Sequence, residues 1–345
     1  MTQTWPGLLA GLLARQDLTT EDTAWAMGEI MRGDATPVQT AGFVIGLRAK
    51  GETLEEVAGF VRVMLAEAAP VVVKGRVVDT CGTGGDRSNT VNLSTMAAIV
   101  VAGAGIPVAK HGGRAASSAC GSADLLAELG VVIDLPPARV AQCLDGAGIV
   151  FCFAPVFHPG MRHAAVARGE LGVGTVFNIL GPLTNPTRPA AQALGVADGR
   201  LAPVMAGVLA ARGVDALVFR GDDGLDELTT TGPSTVWTVA GGTVSASSFD
   251  PLSLGIERAS LEDLRGGLAA DNAAVCHALL AGASGPVRDA VALNAAAAIA
   301  AFEASTGSLE SRLGSGLARA YAALDSGAAA ATLDRWVSVS QSLAS

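Results

Sequence analysis

Arg76-Val-Val-Asp79-Thr-Cys-Gly82-Thr-Gly-Gly-Asp86 decides the fold, because a short β-branched run breaks directly into a glycine-rich turn. Helical texture resumes near Asn92. A strand that ends in glycines and feeds a helix is the unit of a parallel sheet, since parallel neighbours need a crossover connection. The same texture recurs at Ile106-Pro-Val-Ala109, Val131-Val-Ile133, Gly148-Ile-Val-Phe151, Ala193-Leu-Gly-Val196 and Ala216-Leu-Val-Phe219. From residue 71 to 345 the chain therefore reads as one α/β domain with a central, mostly parallel sheet, closing on alanine-rich helices at 289–304 and 309–324.

Before that stretch, residues 1–70 read as helix throughout, with apolar side chains recurring at three- and four-residue spacing. Pro37 follows Thr36 at a first-turn position, and Thr53 with Glu56 forms a capping box, each side chain satisfying a backbone donor of the first turn. Gly33 and Gly51 fall where helices should stop. The expectation is a small all-helical domain joined to the larger α/β domain.

The 345 residues carry 23 Lys plus Arg against 32 Asp plus Glu, a net charge of −9. Nucleic-acid and membrane-surface binders rest on a basic face, so that balance opposes both and leaves any anionic ligand to local devices. Mean hydropathy is +0.43. The most apolar long run, 96–109, nevertheless holds two glycines and a proline and falls short of the ~18 residues a membrane span needs. No basic segment followed by an apolar one opens the chain. The five cysteines are scattered and never spaced Cys-x-x-Cys, which fits neither zinc nor a disulfide framework and points to a reducing cytoplasm.

Four stretches carry chemistry. Glycines 82, 84 and 85 leave backbone N–H groups unobstructed, the geometry by which a loop wraps an anion, and the following helix start adds unpaired donors. A Walker loop is excluded because Gly84-Gly-Asp-Arg-Ser88 lacks the lysine, and a dinucleotide fingerprint because Arg87 stands at its third glycine. Asn92-Leu-Ser-Thr95 places three small polar side chains at a helix start, where they either cap it or face a ligand. Lys110-His-Gly-Gly-Arg-Ala-Ala-Ser-Ser118 and Gly121-Ser-Ala-Asp124 form a dense set of anion donors. Asp222, Asp223, Asp226 and Glu227 crowd four carboxylates into six residues, an acidic turn or a magnesium site, since magnesium takes one or two carboxylates together with substrate phosphates. No histidine reads as a metal ligand, and no Ser-His-Asp or Cys-His arrangement is present.

These stretches resemble the anthranilate phosphoribosyltransferases of tryptophan biosynthesis. The likeness runs from Gly82-Thr-Gly-Gly-Asp86 through Asn92-Leu-Ser-Thr95, Lys110-His-Gly-Gly-Arg114, His158-Pro-Gly-Met-Arg162 and Arg168-Gly-Glu-Leu-Gly172. It continues through Phe177-Asn-Ile-Leu-Gly-Pro-Leu-Thr-Asn-Pro186 to Asp223-Gly-Leu-Asp-Glu227, in one order over nearly the whole chain. It implies the nucleoside phosphorylase/phosphoribosyltransferase type of fold, with the helical domain of residues 1–70 joined by about 160–185. It implies transfer of a phosphoribosyl group from 5-phosphoribosyl 1-diphosphate (PRPP) to the amino nitrogen of anthranilate, with release of pyrophosphate and with Mg2+ as cofactor.

Residue by residue, the resemblance implies that PRPP meets Gly82, Gly85, Asp86, Thr90, Asn92, Leu93, Ser94, Thr95, Lys110, His111, Gly112, Gly113, Arg114, Ala115, Ala116, Ser117, Ser118 and Ser122. Ser94, Asp226 and Glu227 match the metal set, Arg168 matches the clamp on the anthranilate carboxylate, and Gly82 and Gly113 line the acceptor pocket. Lys110 and Arg168 are the expected catalytic pair. By composition Phe177, Ile179, Leu180 and Leu183 read as core, and Pro182 and Pro186 as turns.

Three positions depart from the family's pattern: Gly113 stands where asparagine is usual, Arg87 where glycine is usual, and Gly174 where arginine is common. None belongs to the diphosphate or metal set. A phosphoribosyltransferase or phosphorylase with another acceptor is the rival that Gly113 raises, and a catalytically silent nucleic-acid-binding relative is a second. A homodimer is implied by the resemblance alone, and no residue assigns an amidotransferase partner.

Overall fold

The computed structural model describes residues 3–115 and 119–345. Four helices open it: α1 (Trp5–Leu13), α2 (Thr20–Arg32), α3 (Pro37–Lys50) and α4 (Leu54–Glu67). Capping boxes at Thr19/Asp22, Thr36/Gln39 and Thr53/Glu56 start α2, α3 and α4. Gly33 ends α2 in the left-handed conformation.

The sheet domain follows as β1 (Val78–Gly82), α5 (Leu93–Gly103), β2 (Val108–Gly112), α6 (Ser122–Glu128), α7 (Pro137–Ala147) and β3 (Ile149–Phe153). Next come α8 (Ala154–Phe157), a 3-10 turn over Pro159–Ala164, α9 (Ala165–Leu171) and α10 (Phe177–Leu183). The chain continues through β4 (Ala191–Gly195), α11 (Ala202–Ala211), β5 (Asp215–Gly221), β6 (Ser234–Ala240) and β7 (Thr243–Phe249). It ends on α12 (Ala269–Leu280), α13 (Pro286–Glu303), α14 (Leu309–Asp325) and α15 (Ala328–Ala344).

Strand order is β3-β2-β1-β4-β5-β6-β7. The first five strands are parallel, and β6 and β7 add an antiparallel hairpin at one edge. Chain direction across the sheet reverses between β1 and β4, the position where open α/β sheets bind ligands beyond the carboxyl ends of their strands. Register pairs Gly82 with Gly195 there.

Two differences from the sequence reading have physical causes. Val131 to Ile133 is not a strand, because the Val132 N–H donates to the Ser340 hydroxyl of α15 at 3.1 Å and finds no strand neighbour. Pro182 lies inside the last turn of α10 rather than in a turn.

One apolar core fills the face of the sheet under α5 and α13, and a second runs unbroken from Trp5, Phe43 and Phe60 through Phe177 and Leu180 to α11 and Leu194. The 3-10 turn packs on α2, α9 on α3 and α10 on α4. An Arg48–Asp198 ion pair at 2.7 Å ties α3 to the loop after β4.

Candidate active site

The loops after β1, β2 and β5 meet the segment from α8 to α10 around a cleft of about 810 Å³. Every candidate residue that the structure describes lines it: Gly82, Gly85, Asp86, Thr90, Asn92, Leu93, Ser94, Thr95, Lys110, His111, Gly112, Gly113, Arg114, Ala115, Ser122, Arg168, Asp226 and Glu227. Ala116, Ser117 and Ser118 lie outside the described residues.

At the cleft floor, Lys110 is 1% exposed, and its ammonium donates to the Thr80 carbonyl at 2.6 Å and to Ser94 Oγ at 3.3 Å. Asp79 lies beneath it, accepting from the His111 N–H at 3.2 Å and from Asn185 Nδ2 at 2.9 Å. Burial pushes Asp79 up to about 6, against the pull of Lys110 and those donors.

Asn92 precedes α5 yet its side chain caps nothing. Its amide donates to the Cys120 carbonyl at 2.9 Å and accepts from Asn272 at 2.8 Å, tying the β1 loop to the β2 loop. Ser94 and Thr95 occupy the first turn of α5, with its amide dipoles directed at the cleft. In the β1 loop Arg87 adopts φ +62°, a conformation natural to glycine and disfavoured by about 1–2 kcal/mol for other residues.

The acidic cluster divides in two. Asp223 is a turn residue, accepting from Thr229 Oγ1 at 2.6 Å, from the Leu225 N–H at 3.0 Å and from Thr231. Asp222 is exposed. Asp226 and Glu227 turn inward, each 8% exposed, and Asp226 Oδ2 accepts from the Gly84 N–H at 2.6 Å. Burial, then the Asp86 charge, holds Asp226 well above the usual carboxylate range. Burial and Asp226 raise Glu227 further, with Lys110 opposing. Two adjacent carboxylates in this state call for a cation. Among the described residues no three His, Cys, Asp or Glu side chains group into a metal cage. The donor set therefore suits an ion that brings its own waters and shares a substrate's phosphates.

Across the cleft, Arg168 stacks on the Phe177 ring at 5.8 Å. It pairs neither with Glu170 nor with any other acid among the described residues. Burial lowers its pKa, as expected of a desolvated, uncompensated guanidinium. A half-buried cation that lines a cleft without an acid partner among the described residues is suited to an anionic ligand group. Also on the cleft lining, His111 Nδ1 lies 2.9 Å from the Gly181 carbonyl. A carbonyl only accepts, so Nδ1 carries the proton and Nε2, buried and unpartnered among the described residues, keeps a bare lone pair. The His158 ring meets that of His111 edge-on at 5.2 Å.

His158, Arg162, Asn178 and Gly181 also line the cleft, although the sequence reading assigns them no role there. The signal for the first two is the His158-Pro-Gly-Met-Arg162 stretch; Asn178 and Gly181 lie within an apolar run that reads as core.

These features define a transferase for a polyanionic donor: glycine loops at a sheet's switch point, a helix N-terminus, a buried carboxylate pair and an opposing arginine. Family profiles agree, since residues 6–68 match the helical bundle domain and residues 74–330 the a/b domain of a glycosyl transferase family. The chain is 61% identical over 334 residues to an anthranilate phosphoribosyltransferase of Nocardioides sp., covering 97% of this chain and 98% of the relative. The enzyme of that name from Thermus thermophilus superposes with a TM-score of 0.90 at 42% identity, covering 97% and 99% of the two chains. The Saccharomyces cerevisiae enzyme, solved in complex with PRPP and Mg, gives a TM-score of 0.89 at 27% identity over 98% of both chains. The chain belongs to the anthranilate phosphoribosyltransferases, whose reaction serves tryptophan biosynthesis. That membership sets aside both rival readings of the sequence.

Proposed function

We propose that this cleft takes PRPP along the β1 and β2 loops and anthranilate between Arg168 and the His111 ring, and joins the amino nitrogen to ribose C1. The carrying observation is the charge lining one cleft: a buried carboxylate pair and two glycine loops, together with a half-buried Arg168 that has no acid partner among the described residues. PRPP-dependent loss of anthranilate fluorescence with stoichiometric pyrophosphate release tests the reading; no loss at saturating PRPP and Mg2+ rejects it.

The C1–O bond to pyrophosphate breaks as the N–C1 bond forms, so negative charge collects on the leaving group while the sugar becomes oxocarbenium-like. Gly82, Gly85, Asp86, Thr90, Asn92, Leu93, Thr95 and the cleft-lining residues of the β2 loop hold PRPP, and Lys110 supplies positive charge at the floor. Asp226, Glu227 and Ser94 would hold Mg2+, which neutralises charge developing on pyrophosphate. Arg168 grips the anthranilate carboxylate, with Gly82 and Gly113 beside the ring. His111 Nε2 stands available to accept a hydrogen bond from the amine, whose own lone pair attacks without prior deprotonation; the proton that the new N–C1 ammonium sheds passes to the departing pyrophosphate or to water.

Residues 1–70, joined by 160–185, form the smaller domain, and its closure on the remainder of 71–345 excludes water from the cationic sugar. The chain assembles as a homodimer through the helical domain. Leu13, Val38 and Val166, on α1, α3 and α9, of which α3 packs on the other two, support this, being 86%, 82% and 51% exposed. No helix among the described residues is long and apolar enough to cross a membrane, and all five cysteines are buried, in keeping with a cytoplasmic setting.

A further inference from the structure

Between residues 290 and 301, helix α13 is alanine, valine, leucine and isoleucine with one exception, Asn294. That side chain is 1% exposed and does not reach the cleft. A buried amide is costly unless each of its groups is paired. Asn294 Nδ2 donates to the Ala290 carbonyl of its own helix at 2.9 Å. It spends its remaining capacity on one residue 66 positions away: Nδ2 donates to the Leu228 carbonyl and Oδ1 accepts from the Leu228 N–H, both at 2.9 Å.

Capturing the N–H and the C=O of a single residue is what a neighbouring strand does, and it fixes both peptide planes flanking Leu228. The first of those planes contains the carbonyl of Glu227. At the other end of the dipeptide, Asp226 is held by the Gly84 N–H and by close seating of its carbonyl on Gly195. Two adjacent acids that must both ionise to hold a cation would otherwise splay apart, and among the described residues Asn294 is the side chain that takes both the N–H and the carbonyl of Leu228.

We propose that Asn294 is a positioning residue for the carboxylate pair: by clamping Leu228 it holds Asp226 and Glu227 convergent, without touching substrate or metal itself. This rests on the reading of that pair as the Mg2+ ligands. The competing account is that Asn294 merely satisfies two buried backbone groups.

Asn294→Ala suits the test, since alanine continues the helix and a water can enter the space. Mn2+ is titrated calorimetrically into full-length protein with saturating PRPP and no anthranilate, so that nothing turns over. Circular dichroism and urea unfolding report folding and stability. The clamp predicts at least tenfold weaker Mn2+ affinity in folded variant, a matching rise in the Mg2+ concentration for half-maximal rate, and an acceptor KM within twofold of wild type. Mn2+ affinity within twofold of wild type, whatever the loss of stability, overturns the proposal. Should the alanine variant not fold, Asn294→Ser is judged by the same thresholds. Asp226→Asn is run in parallel: if it too leaves Mn2+ affinity unchanged, the carboxylates are not the ligands and the underlying reading fails, whereas weakening there with none in the Asn294 variant rejects the clamp alone.

Discussion

A β-carbon on Gly195 would lie 1.6 Å from the carbonyl oxygen of Asp226. On its register partner Gly82 it would lie 2.2 Å from Asp226 Oδ2. The two central strands end in glycine because the acidic loop lies directly across their tips. Gly195→Ala must push that loop away, an overpacking that costs about 1–3 kcal/mol and displaces the carboxylates. Turnover is expected to fall ~100-fold or more, since a misplacement of about 1 Å costs that much. Steady-state kinetics beside a thermal melt check it; near-wild-type turnover would mean the loop yields without consequence.

On the proposed reading, Asp226→Asn and Glu227→Ala each remove a group from the set that would hold Mg2+ against pyrophosphate. Turnover is expected to drop ~100-fold or more with the fold preserved, because the neutralising cation loses a ligand. Circular dichroism establishes the fold and a Mg2+ titration of the rate establishes the cause. Wild-type turnover at saturating Mg2+ would remove both from the metal set.

Arg168→Ala leaves Phe177 and the helix in place but withdraws a guanidinium that has no acid partner among the described residues. A charge-assisted hydrogen bond contributes about 1.5–3 kcal/mol, so the anthranilate KM should rise ~10- to 100-fold while the PRPP KM stays within a few-fold. Equal rises in both would assign Arg168 to the donor instead.

Among the described residues no heavy atom lies within 4 Å of where a β-carbon on Gly113 would stand, and Gly113 does not adopt a left-handed φ. Gly113→Asn is therefore expected to fold with unchanged stability and to lower the anthranilate KM by a few-fold through one added hydrogen bond of about 1 kcal/mol. Reduced stability, or a raised KM, would mean that the space belongs to the substrate.

Legibility in the sequence follows the range of the interactions. Capping boxes such as Thr53/Glu56 and the turns after β1 and β2 are local, so five strands and the anion loops are readable from consecutive residues. Val131 to Ile133 misleads because its β-branched pattern is satisfied by a helix 208 residues away. The β6–β7 hairpin is absent from the sequence reading although Gly241-Gly242, both at positive φ between threonine- and valine-rich runs, is a strong two-residue turn signal. Arg168 is indistinguishable from a surface cation without the family resemblance, because what sets it apart, having no acid partner among the described residues, appears only in the folded chain. Asn294 is not legible at all, since its partner Leu228 is named only by the folded chain.

His111 supplies a pH signature that needs no substrate. Burial, then the neighbouring His158, lowers its pKa to about 3, against 6.5 for an ordinary imidazole. Between those values the unfolded chain binds a proton that the native ring does not, so the His111 contribution is complete above pH 6.5 and is lost as pH falls. Asp79 acts with opposite sign: raised to about 6, it is protonated in the native state between about 3.8 and 6, and its contribution is lost as pH rises through that window. The wild-type curve mixes the two, and the difference between proteins isolates one. His111→Gln keeps a donor for the Gly181 carbonyl but cannot titrate. Relative to wild type it should gain about 1.4 kcal/mol for each pH unit below 6.5. Urea unfolding at about pH 7, 6 and 5 measures this, and parallel curves would show that the native imidazole is protonated as readily as the unfolded one.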